Sequence, residues 1–216
     1  NNPTYYLSIV DVMQNSEVWI VPTHNPEGLS VVHGWYDSMD YWNQDVYYRK
    51  NKYDANNNNT FDFIVGIGND EDGVDLNRNY DFNWIFGDQL YSTDLGCGAN
   101  PSYIANYDYY RGPYPFSESE VVAIRDFVLE NNFLLSIAYH SSRSGCVAEK
   151  VIYPWEWTPE KKSPDFDIIS RLGYEMTELL PKEAESGYYA SASSVSRRGN
   201  AHDWIYANTG CIQYLI

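Results

Sequence analysis

Apolar positions along the chain fall into a few runs whose spacing separates strands from helices. The run "VWIVPT" (18–23) is continuously apolar and is followed by the turn signal "NPEG", which predicts a buried strand. The residues before it, "NNPTYYLSIVDVMQNSE", read as a helix leading into that strand. Between Arg49 and Gly73 lies a polar insertion too rich in Asn and Asp to be core. "PFSESEVVAIRDFVLENN" predicts a helix: Pro115 precedes it, Ser117 and Glu120 have capping-box spacing, and Val121, Ile124 and Val128 share one face. "FLLSIAYH" (133–140) predicts a buried strand ending on a histidine. A second helix follows Ser163-Pro164, with Ile169, Leu172, Met176 and Leu179 at helical spacing, and "CIQYLI" is a closing strand. Strands alternating with helices predict an α/β layered fold, a mixed and mainly parallel sheet between helices.

No repeat or linker divides the chain, so residues 1–216 are expected to form one domain. Both ends read as cut: the first element is already under way at Asn1, and "CIQYLI" stops in mid-strand without a polar tail. Hydrophobic residues make up 44% and aromatics 17%, which excludes a disordered chain. The net charge of −16 argues against nucleic acid or an anionic membrane as partner and suits a soluble monomer, secreted or periplasmic. No apolar run approaches the ~18 residues that would span a bilayer. Cys97, Cys146 and Cys211 lack metal-ligand spacing; Cys211 reads as a buried hydrophobe, and a Cys97–Cys146 disulfide is left open.

Several side chains are candidates for chemistry. His140 stands at the C-terminal end of a predicted strand, where open α/β sheets build their sites. Asn77-Arg78-Asn79 sits in a segment where Val74, Leu76, Tyr80, Phe82 and Trp84 alternate, so it is expected to be half-buried. An arginine held there needs an anion or a carboxylate, which its fork can bind bidentately. In the insertion, Asp54, Asn56, Asn58 and Asp62, with the Thr60 carbonyl, have the offsets of a calcium loop. Asn59 replaces the usual glycine and Val65 the closing acid, so a solvated loop is the competing reading. His24 and Glu27 have a metal-ligand spacing, but Pro26 and Gly28 mark the segment as a turn; His33 reads as a surface histidine.

"GVDLNRNYDFNW" resembles the signature of the zinc carboxypeptidases. In the same order, "WIVPTHNPEG", "YYRKNK", "YRGPYPFSESE", "SIAYHSS" and "GNAHDWIY" resemble further segments of that family, so the likeness runs over nearly the whole chain. The resemblance implies a zinc metallocarboxypeptidase that hydrolyses the C-terminal peptide bond of peptides and proteins. It makes His140 a zinc ligand, Arg49 the group that polarises the scissile carbonyl, and Asn77 and Arg78 the clamp for the substrate carboxylate. Asp75 would steady a zinc-ligand histidine, and His202 would lie at the base of the specificity pocket. The family's mobile tyrosine falls at Val195, with Tyr189 a candidate substitute. Its His-x-x-Glu zinc ligands and its catalytic glutamate have no counterpart in this sequence, so the chain by itself is expected to be incomplete for catalysis. A non-catalytic peptide-binding domain and a cell-wall stem-peptide carboxypeptidase of the same fold are the alternatives.

Overall fold

The structure, a computed structural model, describes residues 3–66, 71–87, 109–140, 149–183, 186–194 and 198–216. The chain opens with helix α1 (Pro3–Asn15). Helix α2 (Pro26–His33) follows, so "NPEG" opens a helix and does not form a plain turn. The local reason is that Asn25 accepts from the Gly28 amide at 2.9 Å as N-cap, while Pro26 supplies a preset φ at the first position. A small antiparallel hairpin comes next, β1 (Trp35–Tyr36) with β2 (Trp42–Asn43). The polar insertion beyond it contains no helix or strand among its described residues, yet Lys50, Asn51 and Asp72 are buried, against the expectation that it is too polar for the core.

Helix α3 (Ser119–Glu130) leads into β3 (Leu135–Ala138). Then come β4 (Lys150–Tyr153), the hairpin β5 (Glu156–Thr158) and β6 (Lys161–Lys162), α4 (Phe166–Thr177) and β7 (Ala190–Ser193). Helix α5 (Ala201–Thr209) and β8 (Ile212–Leu215) end the chain. The main sheet has the order β3-β8-β4-β7. β3 runs parallel to β8 and β4 parallel to β7, while β8 and β4 meet antiparallel through Ile152 and Leu215. The sheet is therefore mixed and mainly parallel, with helices packed on it.

Two apolar clusters hold these layers together. One joins α3 and α5 through Val121, Val128, Trp204 and Ile205, with Leu76, Tyr80 and Cys211. The other joins α4 to the sheet through Ile169, Val151, Tyr153 and Tyr214, with Tyr206 of α5. Complete burial of a side chain such as Val121 or Ile169 contributes roughly 2 kcal/mol. Cys211 is buried as expected, and burial pushes its thiol up to about 11. Cys97 and Cys146 lie outside the described residues. No described helix is long and apolar enough to cross a membrane.

Four expectations are corrected. Val18–Val21 forms no strand, and its side chains are 50% to 82% exposed. An apolar run becomes a strand only where a neighbour takes its backbone hydrogen bonds, and no described segment does so; Trp19 rests edge-on against Phe127 at 5.5 Å. Among the described residues β3 is an edge strand, not a buried one, with Leu135 and Ile137 exposed. The N-cap of α3 is Glu118, because Ser117 Oγ turns to the Glu118 carboxylate at 2.6 Å and makes no capping box with Glu120. The buried face of α4 runs through Ile169, Gly173 and Thr177, leaving Leu172 and Leu179 exposed. Gly173 sets that face, since it lets the helix backbone lie against the Tyr153 ring.

Candidate functional site

The site is organised by one buried carboxylate. Gly73 turns the chain with φ at +87°, a value that favours glycine, and its amide donates to Tyr53 O at 2.7 Å. Val74, Leu76 and Tyr80 are then buried, as their alternation predicted. Asp75, between them, caps the short 3-10 turn Leu76–Arg78 by accepting from the Asn77 amide at 3.1 Å through Oδ1. Its Oδ2 accepts from Arg49 Nη2 at 2.6 Å, and Arg78 Nε lies 4.0 Å from the same oxygen. The Tyr109 ring stands against both guanidiniums, 5.0 Å from that of Arg49 and 5.4 Å from that of Arg78. The structure thus brings together Arg49, Asp75, Asn77 and Arg78.

The two asparagines of the triplet divide their work. Asn77 Oδ1 accepts from the Ala201 amide at 2.9 Å, satisfying an orphan donor at the start of α5. No described residue takes the Asn77 Nδ2 hydrogens, which leaves an amide donor beside Arg78. Asn79 is fully buried and structural. It donates to Arg111 O, Tyr114 O and Ser117 Oγ at 2.8, 3.0 and 2.9 Å and accepts from the Glu118 amide at 3.2 Å. Residues 80–82 are closed by Gly199, whose carbonyl accepts from Tyr80 N and whose amide donates to Phe82 O. A Cβ at Gly199 would run into the Arg78 carbonyl, so this approach requires glycine.

His202 is the second residue of α5 and is fully buried, its Nε2 3.9 Å from Asp203 Oδ1. One peptide bond away, the Ala201 amide meets Asn77, so α5 ties His202 to the arginine cluster. His140 stands exposed at the C-terminal end of β3, its amide donating to Ile216 O at 2.7 Å. Val195 lies outside the described residues, and Tyr189 packs against the α4 cluster.

A catalytic zinc site takes three protein ligands. Among the described residues no group of three or more His, Cys, Asp or Glu side chains converges to hold a metal. The described residues do not by themselves fit zinc. His24 and Glu27 do not fill the gap. Burial pushes the His24 imidazole below its ordinary value and leaves Nε2 without a hydrogen bond, while the Glu27 carboxylate accepts from the Lys52 amide at 2.8 Å.

The Asn-rich loop is exposed and closed by its own hydrogen bonds. Asp54 accepts from the amides of Asn58 and Asn59, and Asp62 Oδ2 accepts from Asn56 Nδ2 and Asn58 Nδ2 at 2.7 and 2.8 Å. Asn57 and Asn59 take left-handed φ values of 59° and 63°. The loop is anchored to the site segment by buried Asp72, which accepts from Ala55 N and Asp62 N.

Sequence reasoning missed two supporting groups. Asn51 accepts from the amides of Val74 and Tyr53 and donates to Glu118 Oε2 at 2.5 Å. Glu118 is buried, and burial raises its carboxyl above the usual range. The one available signal was the first acid of "SESE", Glu118, which capping-box spacing passes over in favour of Glu120.

Known proteins resemble this chain over most of its length. The family model for zinc carboxypeptidase (peptidase M14) matches residues 6–216. Carboxypeptidase B of Astacus astacus is 24% identical over 205 residues, covering 93% of this chain and 55% of that protein. Mast cell carboxypeptidase A of Rattus norvegicus is 28% identical over 170 residues, covering 76% of this chain and 34% of that one. The chain thus spans about half or less of the length of these relatives. The crystal structure of carboxypeptidase A from Helicoverpa armigera superposes with a TM-score of 0.57 at 20% identity, over 91% of this chain and 41% of that one. Bovine thrombin-activatable fibrinolysis inhibitor, solved with tick carboxypeptidase inhibitor, gives 0.56 at 19% over 98% of this chain and 64% of that one. With a family model matched from residue 6 to the last residue, the chain belongs to the zinc carboxypeptidase family.

Proposed function

We propose that this chain supplies the substrate-carboxylate clamp of a metallocarboxypeptidase that removes C-terminal residues from peptides. The observation that carries the reading is the convergence of Arg49, Asn77 and Arg78 around Asp75. A peptide's terminal carboxylate binds the Arg78 guanidinium and the Asn77 Nδ2 donor, which fixes register at the chain end and makes the activity an exopeptidase one. Arg49, steadied by Asp75 and Tyr109, stabilises negative charge developing on the scissile carbonyl oxygen. His202 lies toward the base of the side-chain pocket, and His140 contributes one metal ligand. Among the described residues no group of His, Cys, Asp or Glu completes the metal set. The net charge of −16 accords with a secreted or periplasmic protein.

The test uses the full-length protein with zinc and pairs of peptides that differ only in a free or amidated C-terminus. Hydrolysis is expected for the free acid and not for the amide, with zinc bound in stoichiometric amount. Equal cleavage of both, or a protein without stoichiometric zinc that still binds free-acid peptides, overturns the enzyme reading. The latter outcome leaves a peptide-binding domain.

A further inference from the structure

A pocket lies outside the arginine cluster. The β1–β2 hairpin and the polar insertion meet through aromatic rings and border an open pocket of about 420 Å³, lined by Trp35, Asp37, Asn43, Lys52, Phe61 and Phe63. Its walls are packed in place. Trp35 meets Phe63 edge-on at 5.0 Å and Phe61 at 6.2 Å, and buried Tyr48 backs both phenylalanines at 6.0 and 6.5 Å. The Asp62 amide, between the two rings, is held by Asp72 Oδ2 at 2.8 Å. The Lys52 amide is held by Glu27.

The charges in this cavity are unequally satisfied. Asp37 Oδ1 accepts from the amides of Met39 and Tyr41, both at 2.9 Å, and Oδ2 accepts from Asn43 Nδ2 at 3.2 Å. Its carboxylate is therefore already bonded, and Asn43 Nδ2 is divided between Asp37 and the Tyr41 carbonyl. Lys52 is the opposite case. Its Nζ lies 5.0 Å from the Trp35 ring centroid and 5.5 Å from that of Phe61. Ring faces attract the charge but accept no conventional hydrogen bond, and no described residue takes the ammonium hydrogens. A cation that no described residue pairs, walled by aromatic faces, complements a single negative charge attached to an apolar body.

We propose that this cavity binds a carboxylate carried on an aromatic or branched apolar group, with the acid on Lys52 Nζ and the body against Trp35, Phe61 and Phe63. A dianion such as phosphate fits less well beside Asp37, and a sugar finds the Asp37 carboxylate and Asn43 Nδ2 already engaged. The carboxylate can arrive as a small free acid or as an acidic side chain next to an apolar one in a peptide. Both present the same chemistry to Lys52.

The test is a titration of the protein followed by the indole N–H signal of Trp35, identified by its loss in Trp35→Phe. The probes are phenylacetate, phenylacetamide, an end-blocked Phe-Asp dipeptide and N-acetylglucosamine. Phenylacetate is expected to saturate the signal and to bind about tenfold or more tightly than its amide, the scale of one charge-assisted bond. Lys52→Gln should erase that preference, Lys52→Arg should keep it, and Arg78→Ala should leave it unchanged, which separates this site from the clamp. Saturation by the dipeptide as well assigns the cavity to peptides, and saturation by phenylacetate alone assigns it to small acids. Equal response to acid and amide, no response to either acid, a preference that survives Lys52→Gln, or a response to the sugar alone would each overturn the proposal.

Discussion

Arg49 and Asp75, 26 residues apart in the chain, meet at 2.6 Å between Nη2 and Oδ2. Asp75 is almost completely enclosed, its side chain 3% exposed, while that of Arg49 is 27% exposed. The same carboxylate caps the turn that carries Asn77 and Arg78. One aspartate therefore sets the positions of the cation that precedes the polar insertion and of the Asn-Arg pair.

Asp75→Ala should cost about 3 kcal/mol of stability, the lower end of what breaking a buried pair costs, because Arg49 retains access to water. Asp75→Asn should cost less, since an amide oxygen can still cap Asn77, yet Arg49 would lose its charge partner. The midpoint of urea unfolding measures both. Equal midpoints for wild type and Asp75→Ala would show that the pair does not hold the segment.

Arg78→Ala should raise KM for free-acid peptides about 50-fold in the full-length enzyme, with a much smaller change in kcat, as expected for loss of a bidentate charge-assisted contact. Binding of peptides amidated at the C-terminus should be insensitive to the substitution. A variant with unchanged KM would place the carboxylate elsewhere.

Asn77 and Asn79 differ by two positions and should respond oppositely. Asn79→Ala removes three donated bonds and one accepted bond inside a buried region, so a loss of about 3 kcal/mol is expected. Asn77→Ala forfeits one bond to the α5 amide, about 1 kcal/mol, and should mainly weaken peptide binding. Thermal unfolding against peptide affinity separates the two. A variant pair with the same loss in both assays would contradict this division.

The parts of this architecture that were legible in the sequence are those written locally. Val74, Leu76 and Tyr80 were placed correctly because alternation along a half-buried segment needs no knowledge of its neighbours. α3, α4 and β8 followed from apolar spacing for the same reason. What failed depends on partners distant in sequence. The apolar run 18–21 could become a strand only beside another strand, which no local signal reports. The buried role of Glu118 comes from Asn51, 67 residues away. The helix face of α4 is chosen by a glycine, a residue that a hydrophobic pattern does not weigh.

Glu118 makes stability depend on pH. Burial, the dominant influence, raises its carboxyl above the ordinary 4.5, against the opposing bonds from Ser117 and Asn51. The folded protein then keeps this proton to higher pH than the unfolded chain does. Its contribution is therefore complete below 4.5 and is lost as pH rises through the folded value. Glu118→Gln mimics the protonated form, with the amide facing Ser117 Oγ and the oxygen facing Asn51. Urea midpoints from about pH 4 to about pH 7 should fall less steeply in this variant than in wild type. An identical slope would assign the dependence to other groups.

Gly173 offers a test of how α4 meets the sheet. In an exposed helix interior Gly→Ala stabilises by about 1 kcal/mol, because alanine forgoes less backbone entropy. Here an added Cβ would lie 2.6 and 2.8 Å from two carbons of the Tyr153 ring and 3.2 Å from a carbon of Tyr214. Both rings belong to the buried cluster beneath the helix, so neither can swing into solvent. Overpacking of this kind costs about 1 to 3 kcal/mol, enough to reverse the helix-propensity gain. Gly173→Ala is thus expected to lower the unfolding midpoint, and pairing it with Tyr153→Leu should recover part of the loss by opening space under the new methyl group. A rise in the midpoint for the single variant would mean that α4 stands further from the sheet than the Gly173–Tyr153 approach requires.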